Sequence, residues 1–254
     1  MTLEPRSKAS GIAVSIEDGF KSFGDVKALE GVTLEVKRGE FFGLIGPNGA
    51  GKSTLMKALI GVHRLDSGKI RVLGMNPNTD PKAIKSVSGV VPESETPPSF
   101  LTPDEFMEFV LNIRGKKCTD GIKEEWLRFF DMEGQRGIVA KDLSKGTRQK
   151  LMLTSALIHD PPLLLLDEPF INLDPIYQRK VKDRLREYVE RGGTVLLSTH
   201  ILSLAQELCE RVAILHKGRL LKLALKRDLI GENGDLETTF LRLVGYIDGN
   251  DRTP

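Results

Sequence analysis

The sequence contains few cysteines, few aromatic residues and almost no excess of charge of either sign. Its 254 residues include 2 cysteines, Cys118 and Cys209, which lie far apart and match no metal-ligand spacing. We therefore expect packed or surface thiols rather than a disulfide framework. The net charge is +2, from 37 basic and 35 acidic residues, so charge gives no reason to expect nucleic acid or an anionic membrane as a partner.

Long apolar runs are also missing. The longest, such as residues 163–166, fall far short of the ~20 residues that a membrane-spanning helix needs, and residues 1–30 contain no signal pattern. We therefore expect a chain that does not cross a bilayer by itself. With 40% hydrophobic and 28% charged residues, the chain can bury the core of one large domain, or of a domain with an inserted lobe.

Residues 46–54 carry the pattern G-x-x-x-x-G-K-[ST] of a phosphate-binding loop. They are Gly46, Pro47, Asn48, Gly49, Ala50, Gly51, Lys52, Ser53 and Thr54. Residues 41–45 before the loop predict a strand, and a helical apolar pattern follows the loop. The apolar positions of that helix are Leu55, Ala58, Leu59 and Val62. Glycines let backbone amides face phosphate oxygens, and the helix dipole adds positive potential. We expect Lys52 to reach the β and γ phosphates and Ser53 to hold Mg²⁺.

An apolar strand that ends in two carboxylates forms a second candidate cluster. Four leucines at 163–166 precede Asp167 and Glu168, in the manner of a Walker B motif. Such a run suits a strand buried on both faces of a parallel sheet, and open α/β sheets bind ligands at the carboxyl ends of their strands. We expect Asp167 to bind Mg²⁺, directly or through water, and Glu168 to be the general base for an attacking water. Taken alone, the run could equally be a buried strand that ends in solvated acids.

Short β-branched or leucine-rich runs alternate with helical patterns along the chain, which predicts a mostly parallel sheet flanked by helices. Residues 94–99 interrupt this alternation. Thr102, Pro103 and Glu105 then satisfy several rules for the start of a helix. We predict a helical lobe from here to near Lys141. Its core is expected to contain the aromatic residues Trp126, Phe129 and Phe130.

Residues 143–149 read Leu-Ser-Lys-Gly-Thr-Arg-Gln and precede another helical pattern. Ser144 and the Gly146 amide would stand at the amino end of this helix and form a second anion site, although by itself the motif would be an ordinary cap. The phosphate loop, this segment, and the leucine-rich strand with Asp-Glu after its helix together resemble the nucleotide-binding domain of ABC transporters. The resemblance covers roughly residues 12–245.

The resemblance implies a P-loop NTPase fold of the α/β class. It would have a mostly parallel sheet core, an N-terminal antiparallel β portion and an inserted α-helical subdomain. The implied ATP-binding domain spans residues 12–245. Its parts are a core of 12–92 and 143–230, a helical subdomain of about 93–142 and a C-terminal extension of about 231–254. The first ten residues and the last six look like polar tails.

The resemblance also implies an ATP-binding and ATP-hydrolysing subunit that powers a separately encoded membrane permease. In the family, two domains pair head to tail, and each ATP lies between the phosphate loop of one subunit and the signature segment of the other. Ser144, Gly146 and Thr147 would thus act in trans on the γ-phosphate. The implied partners are a second copy of the chain, or a paralogous subunit, and a permease that docks on the helical subdomain. The implied location is cytoplasmic, on the inner face of the cell membrane.

Four more residues take roles from the resemblance. Phe23 stands where the family places an aromatic that stacks on adenine, with a core Phe as the alternative. His200 matches the switch histidine that contacts the γ-phosphate, and Asp174 matches the D-loop, which touches the opposite subunit. Glu93 stands where most members carry a Gln that senses Mg²⁺ or the attacking water. We expect Glu93 to line the metal site together with Ser53 and Asp167.

Several positions depart from the family pattern. Glu93 adds negative charge beside a triphosphate, and Phe23 lacks the hydroxyl of the usual Tyr. The signature has Lys145 and Thr147 where Gly and Gln are commoner, and the D-loop opens with Ile171 and Asn172 rather than small residues. Pro-Glu together with Leu-Ser-Lys-Gly resembles the subgroup that serves ABC-2-type exporter permeases.

The helical lobe carries more apolar residues than one inward stripe requires. They are Phe100, Leu101, Phe106, Met107 and Phe109. Either part of this set forms a groove for a cytoplasmic helix of the permease, or the whole set fills the core of the lobe.

Two other functions compete with transport. A soluble ABC-type ATPase could act on nucleic acid or ribosomes. Chromosome-associated members, however, carry very long coiled coils, whereas about fifty residues separate Glu93 from Leu143 here, and translation-factor members usually carry two cassettes. A generic P-loop kinase or GTPase would leave the signature and His200 without an explanation. We therefore expect ATP and Mg²⁺ as cofactors and no nucleic-acid partner.

Overall fold

The computed structural model describes residues 11–94, 96–230 and 234–246. Nine strands lie in these ranges: β1 (Ile12–Phe23), β2 (Val26–Lys37), β3 (Phe41–Ile45), β4 (Ser67–Val72), β5 (Ser88–Val91), β6 (Leu163–Asp167), β7 (Thr194–Thr199), β8 (Arg211–His216) and β9 (Arg219–Leu225). Nine α-helices lie there too: α1 (Lys52–Leu59), α2 (Pro81–Val87), α3 (Pro103–Asn112), α4 (Asp120–Phe130), α5 (Lys145–Leu157), α6 (Pro175–Glu190), α7 (Leu202–Leu208), α8 (Lys226–Ile230) and α9 (Leu236–Leu243). The polar tails predicted at 1–10 and 249–254 lie outside the described residues.

The strands form two sheets. The larger has six strands in the order β5-β6-β7-β3-β8-β9. Neighbours from β5 to β8 are parallel, and β9 runs antiparallel to β8. The smaller sheet, β2-β1-β4, is antiparallel. The α/β fold with a mostly parallel core and an N-terminal antiparallel portion is therefore confirmed. The antiparallel strand β9 is not predicted by the sequence pattern.

The four-leucine run of β6 is explained by the two hydrophobic clusters on either side of the large sheet. Leu164 and Leu166 pack into the cluster that contains the helical lobe. Leu163 and Leu165 pack into the cluster that contains α1 and the antiparallel sheet. Because successive side chains of a strand point to opposite faces, a strand covered on both faces needs apolar residues at every position. This packing fixes the place of Asp167 and Glu168 at the strand's carboxyl end.

The helical lobe begins with the predicted cap. The Thr102 hydroxyl accepts a hydrogen bond from the Glu105 N–H at 3.3 Å, and the Thr102 N–H donates to Glu105 Oε2 at 2.9 Å. This reciprocal pair satisfies two amides that the first turn of a helix leaves free. Trp126 and Phe130 are buried and Phe129 is partly buried, so the predicted aromatic core is confirmed. The domain limits given above stay a prediction.

The predicted apolar face of α1 is wrong at Val62. The helix ends at Leu59, and Val62 lies in the following turn with 53% of its surface exposed. Gly61 takes a left-handed φ of 69°, and a Cβ there would lie 2.3 Å from the Pro77 carbonyl oxygen. The glycine therefore ends the helix and lets the chain pass close to a neighbouring loop.

The cysteines and the apolar segments agree with the composition. Cys209 is buried and Cys118 is partly buried, and both are free, as expected for packed thiols. Within the ranges described, no helix has both the length and the apolar character needed to span a membrane.

Candidate functional site

The phosphate loop between β3 and α1 is pressed against neighbouring backbone. A Cβ on Gly46 would lie 2.1 Å from the Leu215 carbonyl oxygen, and one on Gly51 would lie 2.3 Å from that of Ala28. Gly51 also has a φ of 105°, a conformation that other residues rarely adopt. Both glycines are thus required by the packing of the loop between β2 and β8.

The loop forms one wall of a cleft of about 580 Å³. Residues 48–54 line the cleft together with Phe23, Glu93 and Glu168, so these predicted site residues do come together. Lys27 and Lys217 also line it, and the sequence pattern predicts neither. Lys27 lies near the start of β2, and Lys217 lies in the turn between β8 and β9. No local pattern signals either residue, because only the packing of β2 and the β8–β9 turn against the loop brings them there.

Lys52 is held at the floor of the loop. Its side chain is buried, and Nζ donates hydrogen bonds to the carbonyl oxygens of Gly46 at 2.7 Å and Pro47 at 3.1 Å. Burial lowers the pKa of Lys52, while the carboxylates of Glu168, Asp167 and Glu93 act in the opposite direction. The ammonium group is therefore a fixed donor next to the loop amides, where a phosphate oxygen can replace the carbonyls as acceptor.

Three oxygen-bearing side chains meet beside the loop. Ser53 Oγ donates to Glu93 Oε2 at 3.2 Å. Asp167 is 4% exposed, and its Oδ1 is buried without a hydrogen-bond partner. Burial raises the pKa of Asp167, and the hydroxyls of Ser198 and Ser53 act to lower it. Two carboxylates and a hydroxyl are the hard oxygen ligands that Mg²⁺ prefers, and an unpaired buried oxygen is what such an ion would satisfy.

The predicted metal position is a small donor set rather than a closed cage. Within residues 11–94, 96–230 and 234–246, no three or more His, Cys, Asp or Glu side chains converge to hold a metal. Mg²⁺ commonly uses one or two carboxylates and completes its shell with water and substrate phosphates. Ser53, Glu93 and Asp167 therefore fit Mg²⁺, with water or nucleotide phosphates completing its shell.

Glu168 lies directly after β6 in a left-handed conformation, with a φ of 50°. Its backbone N–H donates to the Ser198 carbonyl oxygen at 2.9 Å. The carboxylate is 6% exposed, and its oxygens accept hydrogen bonds from the Thr199 hydroxyl and the His200 N–H. The ring of His200 contacts the same carboxylate and is 42% exposed. The predicted base and the predicted switch histidine are thus in direct contact.

Phe23 also lines the cleft. It is 45% exposed, and its ring stands edge-on to that of His63, with 5.1 Å between the centroids. Lys21 Nζ lies 5.2 Å from the Phe23 centroid. Such exposure disfavours the alternative of a core Phe, and stacking on adenine stays a prediction.

The signature segment does not reach this cleft. Ser144 caps α5, and its hydroxyl accepts a hydrogen bond from the Thr147 N–H at 3.1 Å. A Cβ on Gly146 would lie 2.8 Å from the Asn172 carbonyl oxygen, so the signature packs against the predicted D-loop. Asp174 caps α6 by accepting from the N–H groups of Ile176 and Tyr177. Ser144, Gly146, Thr147 and Asp174 are not among the residues that line the cleft, and their roles toward a second chain stay predictions.

Comparison with known proteins gives consistent results. Residues 29–171 match the model of the ABC transporter family. The chain is 35% identical over 225 residues to Nod factor export ATP-binding protein I of Rhizobium etli. The matched region covers 87% of this chain and 70% of that protein. Among solved structures, an ATP-binding subunit of an ABC transporter is similar with a TM-score of 0.84 and 31% identity, over 91% of this chain and 99% of that chain. A dimeric ATP-binding cassette in a post-hydrolysis state, bound to ADP and Pi, is similar with a TM-score of 0.76 and 25% identity, over 84% of this chain and 98% of that chain.

Proposed function

We infer the function from one premise: this chain belongs to the ABC transporter family, and within it to the ATPases. We propose that it is the ATP-hydrolysing subunit of an exporter and powers a separately encoded membrane permease. The likeness to an export ATP-binding protein over most of the chain carries this proposal. It favours transport over an action on nucleic acid or ribosomes, and over a generic P-loop kinase or GTPase.

The cleft supplies groups for phosphoryl transfer to water. The loop amides and Lys52 would hold the phosphates. Ser53, Glu93 and Asp167 would hold Mg²⁺, which neutralises charge on the phosphates when it is bound. Glu168 would take a proton from the attacking water. The oxygen of that water would bond to the γ-phosphorus, and the bond between the γ-phosphorus and the β–γ bridging oxygen would break. His200, already in contact with Glu168, would carry a donor toward the γ-phosphate.

The second half of each site would come from another chain. Ser144 and Gly146 stand at the amino end of α5, outside the cleft, where a helix end favours an anion. A head-to-tail pair, in which each chain offers its signature to the phosphate loop of the other, would complete two sites. The similar cassette that is dimeric and bound to ADP and Pi supports the pairing of two chains. ATP would favour the closed pair, and hydrolysis would remove that preference. The second chain would be a copy of this one or a paralogous subunit.

The helical lobe offers a surface for the permease. Of its five surplus apolar residues, Phe106 and Met107 are buried, while Phe100 is 74% exposed and Phe109 is 47% exposed. The buried pair serves the core of the lobe, so only the exposed residues are available to a groove. Ile113, one turn after Phe109, is 59% exposed and extends the same apolar surface. Docking here would place the chain at the cytoplasmic face of the membrane.

Membrane retention tests the transport assignment. The full chain is expressed with and without a multispan membrane protein encoded beside it, and washed membranes are assayed for the chain. We expect retention only with the partner, and a loss of retention in Phe109→Asp. Tyr246→Asp is the matched control, because Tyr246 is exposed but lies outside the helical lobe. Retention that needs no partner, or that survives Phe109→Asp, would contradict docking through this surface.

A further inference from the structure

Ser53 stands between two carboxylates that it cannot satisfy together. Its hydroxyl donates to Glu93 Oε2 at 3.2 Å, and it also lies close enough to Asp167 to interact with that carboxylate. A serine hydroxyl carries one hydrogen and donates one hydrogen bond at a time. Asp167 Oδ1 is buried without any partner. The site therefore has more acceptors than donors.

The lysines of the cleft leave these two carboxylates without a close ion pair. Lys52 Nζ donates to the carbonyl oxygens of Gly46 and Pro47. Of the cleft's other lysines, Lys27 lies 3.6 Å from Glu30, and Lys217 stands on the β8–β9 turn. Throughout the part of the chain that the structure describes, the ion pairs include none between a lysine or arginine and Glu93 or Asp167. Lys52 acts on Glu168, Asp167 and Glu93 together, so beside the loop one ammonium group faces three carboxylates.

We propose that Glu93 turns Ser53 and Asp167 into a divalent-cation site that fills before the nucleotide, and that it makes tight nucleotide binding depend on that cation. The proposal rests on the proposed function, because cation and nucleotide share one cleft. An amide in place of the Glu93 carboxylate would supply N–H donors to its neighbours, whereas a carboxylate only accepts. A carboxylate without a cation also repels a triphosphate.

The first test measures cation binding without nucleotide. The purified full chain is titrated with Mn²⁺, and free Mn²⁺ is followed by electron paramagnetic resonance. We expect Glu93→Gln to weaken Mn²⁺ binding by about tenfold, which is the effect of removing one unit charge from a partly solvated site a few ångströms away. Glu187→Gln is the matched control: it removes an exposed carboxylate from α6 and should leave the affinity unchanged. Equal Mn²⁺ affinities in wild type and Glu93→Gln would overturn the proposal.

The second test measures ATP affinity without a divalent cation, and here Glu93→Gln should bind more tightly instead of more weakly. In EDTA, Glu93→Gln should bind ATP about tenfold more tightly than wild type, because one repulsive charge is gone. With saturating Mg²⁺ that advantage should disappear. Equal ATP affinities in EDTA would also overturn the proposal. Failure of both proteins to bind ATP with Mg²⁺ would overturn the proposed function as well, whereas normal ATP binding with equal Mn²⁺ affinities would remove this inference alone.

Discussion

Glu168 and His200 are joined across the carboxyl ends of two neighbouring strands, with 2.7 Å between Oε1 and Nδ1. The same oxygen accepts the His200 backbone N–H at 2.8 Å, and Oε2 accepts the Thr199 hydroxyl at 3.0 Å. The parallel register pairs Asp167 with Ser198, so the residues that follow each strand must meet. These contacts hold the carboxylate in one orientation before any substrate is bound.

Glu168→Gln should keep ATP binding and lose hydrolysis. The amide has nearly the same shape, but it cannot take a proton from water, and one of its two terminal atoms can only donate. We expect turnover to fall by about 10²–10⁴-fold, the usual contribution of a positioned general base. Phosphate release measures the loss of hydrolysis, and ATP affinity measured on the same variant checks that binding is kept. Unchanged turnover would remove Glu168 from the role of base.

Ser144→Arg and Lys52→Ala should each be inactive alone and partly active when mixed. In a mixed head-to-tail pair, one site combines an intact phosphate loop with an intact signature. Random pairing should then restore about a quarter of the wild-type turnover, because half of the pairs carry one working site of two. Each variant mixed with more of itself is the control. If no activity returned on mixing, the signature would not act in trans.

The aromatic core of the helical lobe should carry much of its stability. Phe130 is fully buried. The centroid of its ring lies 4.7 Å from that of Phe129 and 6.3 Å from that of Trp126. Phe130→Ala should lower the free energy of unfolding by about 3–5 kcal/mol, through lost burial and a residual cavity. Phe109→Ala is the control, with an expected loss below about 1 kcal/mol, because that side chain is half-exposed. Urea titration compares the two, and similar losses would contradict the packing.

His159 should make stability fall in mild acid. It is 2% exposed, and burial together with the charge of Arg114 lowers its pKa to about 4. The unfolded chain has the ordinary value near 6.5. Between those values the unfolded state binds the proton more strongly, so stability is lost as the pH falls through this window.

Between about pH 7.5 and 5, His159 should account for a loss of about 2 kcal/mol in the free energy of unfolding. Urea titration at both pH values measures the total loss in the free energy of unfolding. That total loss should be about 2 kcal/mol smaller in His159→Gln than in wild type. His63→Gln, in which the replaced histidine is more exposed, should keep the wild-type loss. Identical losses in His159→Gln and wild type would contradict the account.

Local signals predicted much of the fold and of the cleft. The phosphate loop, the Thr102 cap and the Ser144 cap are each set by residues a few positions apart, and the structure shows all three. The buried strand β6 was predicted because a strand covered on both faces is apolar throughout. The antiparallel strand β9 and the cleft residues Lys27 and Lys217 were not predicted. They depend on which distant segments pair, and that information is spread over the whole chain.

Val62 shows that apolar spacing alone can predict too long a helix. Its spacing fits the apolar stripe of α1, but a glycine one residue earlier ends the helix and turns Val62 into solvent. Apolar periodicity alone does not show where a helix stops. The glycine at position 61 is the local signal for the end of the helix.

The central claim is that two chains must together enclose each ATP, and turnover per chain as a function of concentration tests it most directly. Phosphate release should be measured over a dilution series with saturating ATP and Mg²⁺, while sedimentation velocity follows association. We predict that turnover per chain falls on dilution in step with the fraction of dimer. A turnover that stays constant while the chain sediments as a monomer would contradict the claim.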